Sequence, residues 1–85
     1  MKIELREWAD LNLNMGVVMM NKDQVKADLY FQIALRTVLK CDNEPYLTAM
    51  IHYNFGLNCQ RLNKVEKARV NLEYALEYFE LQNAS

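Results

Sequence analysis

The segment Asn54-Phe55-Gly56 has a counterpart in Asn14-Met15-Gly16, which lies earlier in the chain at a spacing of about 40 residues, a length typical of a helical repeat unit. Two alanines follow each glycine: Ala27 and Ala34 follow Gly16, and Ala68 and Ala75 follow Gly56. The interval between the two alanine pairs is nearly the same as that between the two glycines. Self-similarity at a fixed period is typical of repeat proteins. The sequence therefore predicts two copies of one unit, with repeat one at about residues 5–41 and repeat two at about residues 45–82.

The composition restricts the class of protein. Of 85 residues, 52% are hydrophobic and 25% are charged, and the net charge is −1. Such a chain is too apolar to be disordered, and two glycines and one proline provide too few turns for a sheet-rich fold. Near-neutral charge, without a basic run, argues against binding to nucleic acid or to a membrane surface. We expect a single all-α domain over residues 1–85.

The cellular compartment is inferred from the N-terminus and the cysteines. Residues 1–7 contain no secretory signal, and no apolar stretch approaches the about 20 residues of a membrane span. Two cysteines in a chain without a signal indicate reduced thiols. These features predict a cytoplasmic protein.

Each unit is predicted to form a helical hairpin. Asp42-Asn43-Glu44-Pro45 combines capping side chains with a proline suited to the first helical turn. Polar turns at residues 21–23 and 63–64 separate apolar stretches with helical periodicity. The predicted fold is four helices in two antiparallel hairpins, with the helices at residues 3–20, 24–40, 45–62 and 65–81.

The apolar spacing also predicts which side chains form the core. On the first helix of each unit the predicted core residues are Leu5, Trp8, Leu11, Met15 and Met19, and Leu47, Ile51, Phe55, Cys59 and Leu62. On the return helices they are Val25, Ala27, Phe31, Ala34, Leu35 and Val38, and Val65, Ala68, Leu72, Ala75, Leu76 and Phe79. Gly16 and Gly56 fall in mid-helix, where glycine costs about 1 kcal/mol relative to alanine. We expect a close helix crossing at each glycine.

This layout resembles the tetratricopeptide repeat, whose signature is Trp-x-x-Leu-Gly-x-x-Tyr, then Ala-x-x-x-Phe, then Ala. Repeat two has His52-x-x-Phe55-Gly56-x-x-Cys59, Ala68-x-x-x-Leu72 and Ala75. Repeat one has Asn12-x-x-Met15-Gly16-x-x-Met19, Ala27-x-x-x-Phe31 and Ala34. Polar residues thus replace the signature tryptophan in both units, and neither unit has the signature tyrosine or the proline that closes the signature. The resemblance implies an α-solenoid fragment that acts as a protein-binding adaptor, and HEAT repeats are the alternative of similar period.

A second apolar face on the first helix of each unit is the predicted binding surface. In solenoids of the resembled family such positions line a groove, and an asparagine at the place of Asn14 and Asn54 pairs with a peptide backbone. The predicted contacts to a peptide or partner helix are Leu13, Asn14, Val17, Met20, Met50, Tyr53, Asn54, Leu57 and Arg61. The alternatives are that these faces pack within the domain or against another copy, or that the chain is the sensing-domain segment of a larger regulator. Its units are similar in length to those of kinesin light chains and of the peptide-pheromone receptors of Gram-positive bacteria.

The end of the last helix is the predicted assembly surface. Tyr74, Tyr78 and Leu81 form an apolar stripe, and in a longer array a further repeat would cover it. We expect a homodimer or a protein partner there.

The sequence offers no arrangement for catalysis. Cys41, His52 and Cys59 lack the paired spacing of a zinc site. His52 and Cys59 are two helical turns apart, about 10 Å, which is too far for a catalytic hydrogen bond. We expect neither a cofactor nor an enzyme.

Overall fold

A computed structural model describes residues 3–84, within which the chain forms four α-helices and no strand. The helices are α1 (Leu5–Met19), α2 (Gln24–Val38), α3 (Pro45–Arg61) and α4 (Val65–Asn83). Every predicted helix is present, and each predicted boundary lies within two residues of the observed one. The predicted all-α fold of two hairpins is confirmed. Residues 1, 2 and 85 of the predicted domain lie outside the described residues.

Local sequence features mark the start of α2 and α3, but the capping side chain predicted before α3 is not observed, because its N-cap residue, Glu44, makes no side-chain hydrogen bond to the helix. Asp23 caps α2, because its carboxylate accepts a hydrogen bond of 3.0 Å from the backbone N–H of Lys26. Pro45 occupies the first turn of α3, where its missing N–H costs nothing. Asn43 and Asn63 adopt left-handed φ angles of 54° and 60°, a conformation that asparagine tolerates better than most residues. The connections before α3 and α4 therefore turn tightly.

The glycines lie at the two hairpin crossings, as predicted. A β-carbon on Gly16 would lie 2.7 Å from Cδ1 of Phe31, and one on Gly56 would lie 2.7 Å from Cγ of Leu72. Phe31 and Leu72 occupy equivalent positions in the two return helices, because the interval between them equals that between Ala34 and Ala75. The two hairpins therefore use the same crossing.

The hairpins are joined through α2 and α3, which pack against each other. The ring centroids of Phe31 on α2 and Phe55 on α3 lie 6.1 Å apart. The predicted core face of α3 is confirmed: Leu47, Ile51, Phe55 and Cys59 are buried, and Leu62 is half-buried. This face is buried because α2 covers it on one side and α4 on the other.

The predicted core face of α1 is wrong. Leu5, Trp8, Leu11 and Met15 are exposed, and Met19 is only half-buried. The residues that α1 buries are instead Ala9, Asn12, Leu13 and Gly16, followed after its end by Met20. In the register of the repeat, the exposed residues correspond to the face of α3 that α2 covers. Among the described residues no helix precedes α1, so its equivalent face stays open.

The return helices confirm only part of their predicted core. The four alanines, Phe31 and Val38 are buried, and Leu35, Leu72 and Phe79 are half-buried. Val25, Val65 and Leu76 are exposed, which corrects their assignment to the core. Val65 and Leu76 lie on α4, whose outer side no further helix of the described chain covers.

Candidate binding surfaces

The nine residues predicted to bind a peptide or helix fall into three groups by burial. Leu13 and Met20 are buried in the core, and Met50 and Leu57 pack against that core. Asn54 is half-buried, and Asn14, Val17, Tyr53 and Arg61 are exposed. Leu13 and Met20 therefore pack within the chain, which leaves the exposed members as the surface that a ligand can reach.

Arg61 joins the two hairpins at one end of this surface. Its guanidinium donates to the backbone oxygen of Met20 at 3.2 Å and to Oδ1 of Asn21 at 2.9 Å. The side chain thus bridges the end of α3 to the turn between α1 and α2. This contact holds α1 and α3 side by side, and other N–H groups of the guanidinium can still donate to a ligand.

Asn14, Val17, Tyr53 and Leu57 form what we call the inner face, which extends over α1 and α3. Val17, on α1, and Tyr53, on α3, are exposed, and Leu57, one turn after Tyr53, is half-buried. The amide of Asn54, on the same helix, donates to the backbone oxygen of Met50 at 2.9 Å, which leaves its Oδ1 as an acceptor. The inner face therefore offers an aromatic ring and aliphatic groups with amides beside them, which suits a peptide or a helix.

The predicted assembly surface is partly exposed. Tyr74 and Leu81 are exposed and Tyr78 is half-buried, and with Glu77 they line a shallow groove of about 210 Å³ on α4. The ring of Tyr74 also lies 4.1 Å from that of His52, centroid to centroid. Tyr74 is therefore partly held by α3 and is a less available anchor than Leu81.

The imidazole of His52 is engaged within the hairpin. Its Nδ1 lies 2.7 Å from Oδ1 of Asn71, whose own amide donates to the backbone oxygen of Lys67. Cys59 is fully buried, and desolvation by this burial raises the pKa of its thiol. A buried, protonated thiol is a poor nucleophile. No cluster of three or more potential metal ligands occurs in the part of the chain that the structure describes.

Two surfaces at the ends of the helical stack were missed by the sequence reasoning. The first, which we call the α1 end face, consists of Trp8, Leu11, Met15 and Val18, all exposed. The second, which we call the α4 end face, consists of Val65, Arg69, Leu72 and Leu76, and a groove of about 340 Å³ runs along part of it. The signal was available in the repeat itself, because the first and last helices of a two-unit array each lack one neighbour.

Arg69 is the charged member of the α4 end face. Its guanidinium donates to Glu66 at 2.7 Å and to Glu73 at 2.6 Å, and the hydrogen bond from Arg69 lowers the pKa of Glu66. All three side chains are exposed, so solvent screens these ion pairs. Two N–H groups of the guanidinium remain for another acceptor.

Comparisons with known proteins found no family model, no curated protein and no solved structure that matches this chain. No helix among residues 3–84 combines the length and the hydropathy needed to cross a membrane.

Proposed function

We propose that this chain is a protein–protein interaction module of the tetratricopeptide type that binds a peptide or a partner helix on its inner face. The observation that carries the proposal is the exposure of Tyr53 and Val17 on two neighbouring first helices. A large aromatic ring is more favourably buried than left in water, and it has few rotors to immobilise on binding. It is the kind of residue that dominates the energy of an interface.

The polar groups next to these anchors support the same function. The amide of Asn14 is exposed, and Asn54 retains a free acceptor after donating to its own helix. A side-chain amide can donate to and accept from a peptide bond, and so fix the direction of a bound backbone. The basic group nearby, Arg61, already bridges the two hairpins, so a ligand held mainly by its apolar side chains is favoured over one held by a carboxylate.

Selection of displayed peptides on the immobilised chain tests this function. The expected result is a set of peptides with a shared apolar spacing that bind the wild type and lose binding to Tyr53→Ala. The matched control is Tyr74→Ala, because the two tyrosines are similarly exposed, 43% and 47%, and Tyr74 lies on α4, which contributes no residue to the inner face. Recovery of no peptide, or of peptides equally sensitive to both variants, would contradict the proposal.

A further inference from the structure

The contact between α2 and α3 provides a template for a contact between copies of the chain. A residue of α1 corresponds to the residue of α3 that follows it by the interval between Gly16 and Gly56. A residue of α2 corresponds to the residue of α4 that follows it by the interval between Ala34 and Ala75. The α1 end face is thus equivalent to the face of α3 that α2 covers. The α4 end face is equivalent to the face of α2 that covers α3. The chain carries both halves of its own inter-hairpin interface, and within residues 3–84 no helix covers either half.

The four residues of the α1 end face are all apolar. Met15 corresponds to Phe55, which packs against Phe31 of α2. Val18 corresponds to Asn58, whose side chain donates to the backbone oxygen of Gln24 in α2. Asn58 is 0% exposed, whereas Val18 is 54% exposed. Leaving such a row of large side chains in water is unfavourable, and a helix placed as α2 is placed on α3 would cover it.

The α4 half is apolar at the matching positions. Leu72 corresponds to Phe31 and would face Met15 of another copy, as Phe31 faces Phe55. Val65 corresponds to Gln24 and would face Val18, the counterpart of Asn58. An apolar contact would thus take the place of the hydrogen bond between Asn58 and Gln24. Apolar side chains therefore meet apolar side chains at both places.

The charges at this interface favour a second copy as the occupant. Within the chain, Nζ of Lys64 lies 3.9 Å from Oδ2 of Asp28 across the junction of the two hairpins. Lys64 precedes α4 as Asp23 precedes α2, and Arg69 is the fifth residue of α4 as Asp28 is of α2. The equivalent pair between two copies is thus Arg69 with Asp23. Arg69 places a positive charge where Asp28 has a negative one, and Asp23 places a negative charge where Lys64 has a positive one. The pair between two copies is therefore also attractive.

We propose that this chain self-associates head to tail, with the α4 end face of one copy packed on the α1 end face of the next as α2 packs on α3. The contact joins two different surfaces, so it leaves one free face at each end of a dimer and continues into longer arrays or a ring. It goes beyond the proposed function because it involves other faces of the molecule than the inner face.

Light scattering after size exclusion, with two complementary variants, tests this assembly. Leu11→Glu places a charge on the α1 end face, and Leu76→Glu places one on the α4 end face. The wild type is expected to increase in mean mass with concentration beyond two chain masses, and each variant alone is expected to remain at one chain mass. An equimolar mixture of the two variants is expected to form a dimer of two chain masses, because each supplies the face that the other has lost.

Matched variants separate this result from unfolding and from general loss of apolar surface. Leu29→Glu is the control, since Leu29 and Leu76 are equally exposed, at 57%, and Leu29 belongs to neither end face. It is expected to assemble like the wild type. Recovery of the dimer in the mixture shows that both variants are folded, and Val18→Glu serves as a second variant of the α1 end face if Leu11→Glu melts early by circular dichroism.

Trp8 provides an independent readout because it is the single tryptophan and belongs to the α1 end face. Its emission is expected to shift to shorter wavelength as wild-type concentration rises, and to stay constant in Leu76→Glu, which leaves the tryptophan intact.

A wild type that stays monomeric from micromolar to millimolar concentration would overturn the proposal. So would a closed dimer that withstands both end-face variants, or an assembly that is lost in Leu81→Glu and retained in Leu11→Glu.

Discussion

Gly56 lies in direct contact with Leu72 across the α3–α4 crossing, where a β-carbon on the glycine would stand 2.7 Å from Cγ and 3.2 Å from the backbone nitrogen of the leucine. A leucine side chain can change rotamer, but its backbone nitrogen moves only with α4. We therefore expect Gly56→Leu to lower the free energy of unfolding by about 1–3 kcal/mol or more through overpacking. Urea unfolding followed by circular dichroism measures the change.

A compensating variant shows whether the steric contact is the cause. Gly56→Ala is expected to destabilise the protein although alanine favours a helix by about 1 kcal/mol over glycine. Removing the opposing side chain with Leu72→Ala should make the addition of the β-carbon less costly than it is in the wild type. Equal costs in the two backgrounds, or an unchanged stability for Gly56→Leu, would remove the packing explanation for the glycine.

Asn58 connects the two hairpins, and its replacement tests how much that connection contributes. It is fully buried on α3 and its amide donates to the backbone oxygen of Gln24 at 2.8 Å, while its Oδ1 has no hydrogen-bond partner. Asn58→Ala loses the bond and leaves a cavity, and removal of the unpaired oxygen offsets part of this loss. We expect a net decrease in the free energy of unfolding of about 1–3 kcal/mol.

The control for Asn58 is a second asparagine on the same helix. Asn54 lies one turn earlier, and its amide donates only to Met50 of its own helix. Asn54→Ala should change the free energy of unfolding by about 0.5 kcal/mol or less, since alanine is the better helix former. If both variants are equally stable, the hydrogen bond between the hairpins contributes little.

The repeat pattern in the sequence predicted the helices and the glycine crossings correctly but assigned the wrong face of α1 to the core. Leu11 and Met15 match Ile51 and Phe55 in position, and the matching residues of α3 are buried. The difference is the neighbouring helix and not the residue type, because α3 lies between two return helices and α1 contacts only one. Periodicity reports that a face is apolar and cannot report whether a helix covers it.

The inner face was only partly predictable for a related reason. Leu13 and Tyr53 occupy equivalent positions, yet Leu13 is buried and Tyr53 is exposed, because α3 lies beside α1 and no further helix of the described chain lies beside α3 in the same way. The small residues Ala9 and Gly16 mark the side of α1 that packs closely. Greater weight on small residues than on large ones would have identified the core of α1.

The buried thiol of Cys59 predicts a stability that depends on pH. Burial raises the pKa of Cys59 in the folded state, whereas a thiol in the unfolded chain ionises near its usual pKa of about 8.5. A raised folded-state pKa means that the folded protein binds this proton more tightly. Its contribution to stability is therefore complete below about pH 8.5 and decreases as the pH rises above that value.

Urea unfolding at a series of pH values from neutral to alkaline measures this dependence. Cys59→Ala should show a shallower loss of stability above about pH 8.5 than the wild type, despite a lower stability at neutral pH from the cavity. Cys41→Ala is the matched control, because Cys41 is the other cysteine and is only half-buried. It should keep the wild-type slope. An identical slope in all three proteins would show that Cys59 does not govern the alkaline loss.

Tyr53 and the neighbouring asparagines should determine the affinity for a peptide selected on the inner face. Tyr53→Ala is expected to weaken binding by about 2 kcal/mol or more, as the truncation of an aromatic residue at the centre of an interface does.

Asn54→Ala should cost about 1–3 kcal/mol of binding with little loss of fold stability, since the free acceptor of Asn54 would pair with a buried peptide N–H. Isothermal titration in the Leu76→Glu background, which is expected to be monomeric, separates this binding from self-association. Hydrogen exchange with the peptide bound should show protection of α1 and α3 around residues 14–17 and 53–57. If Tyr53→Ala instead lowers the free energy of unfolding, and no peptide protects these segments, the inner face is internal and the chain is a structural module.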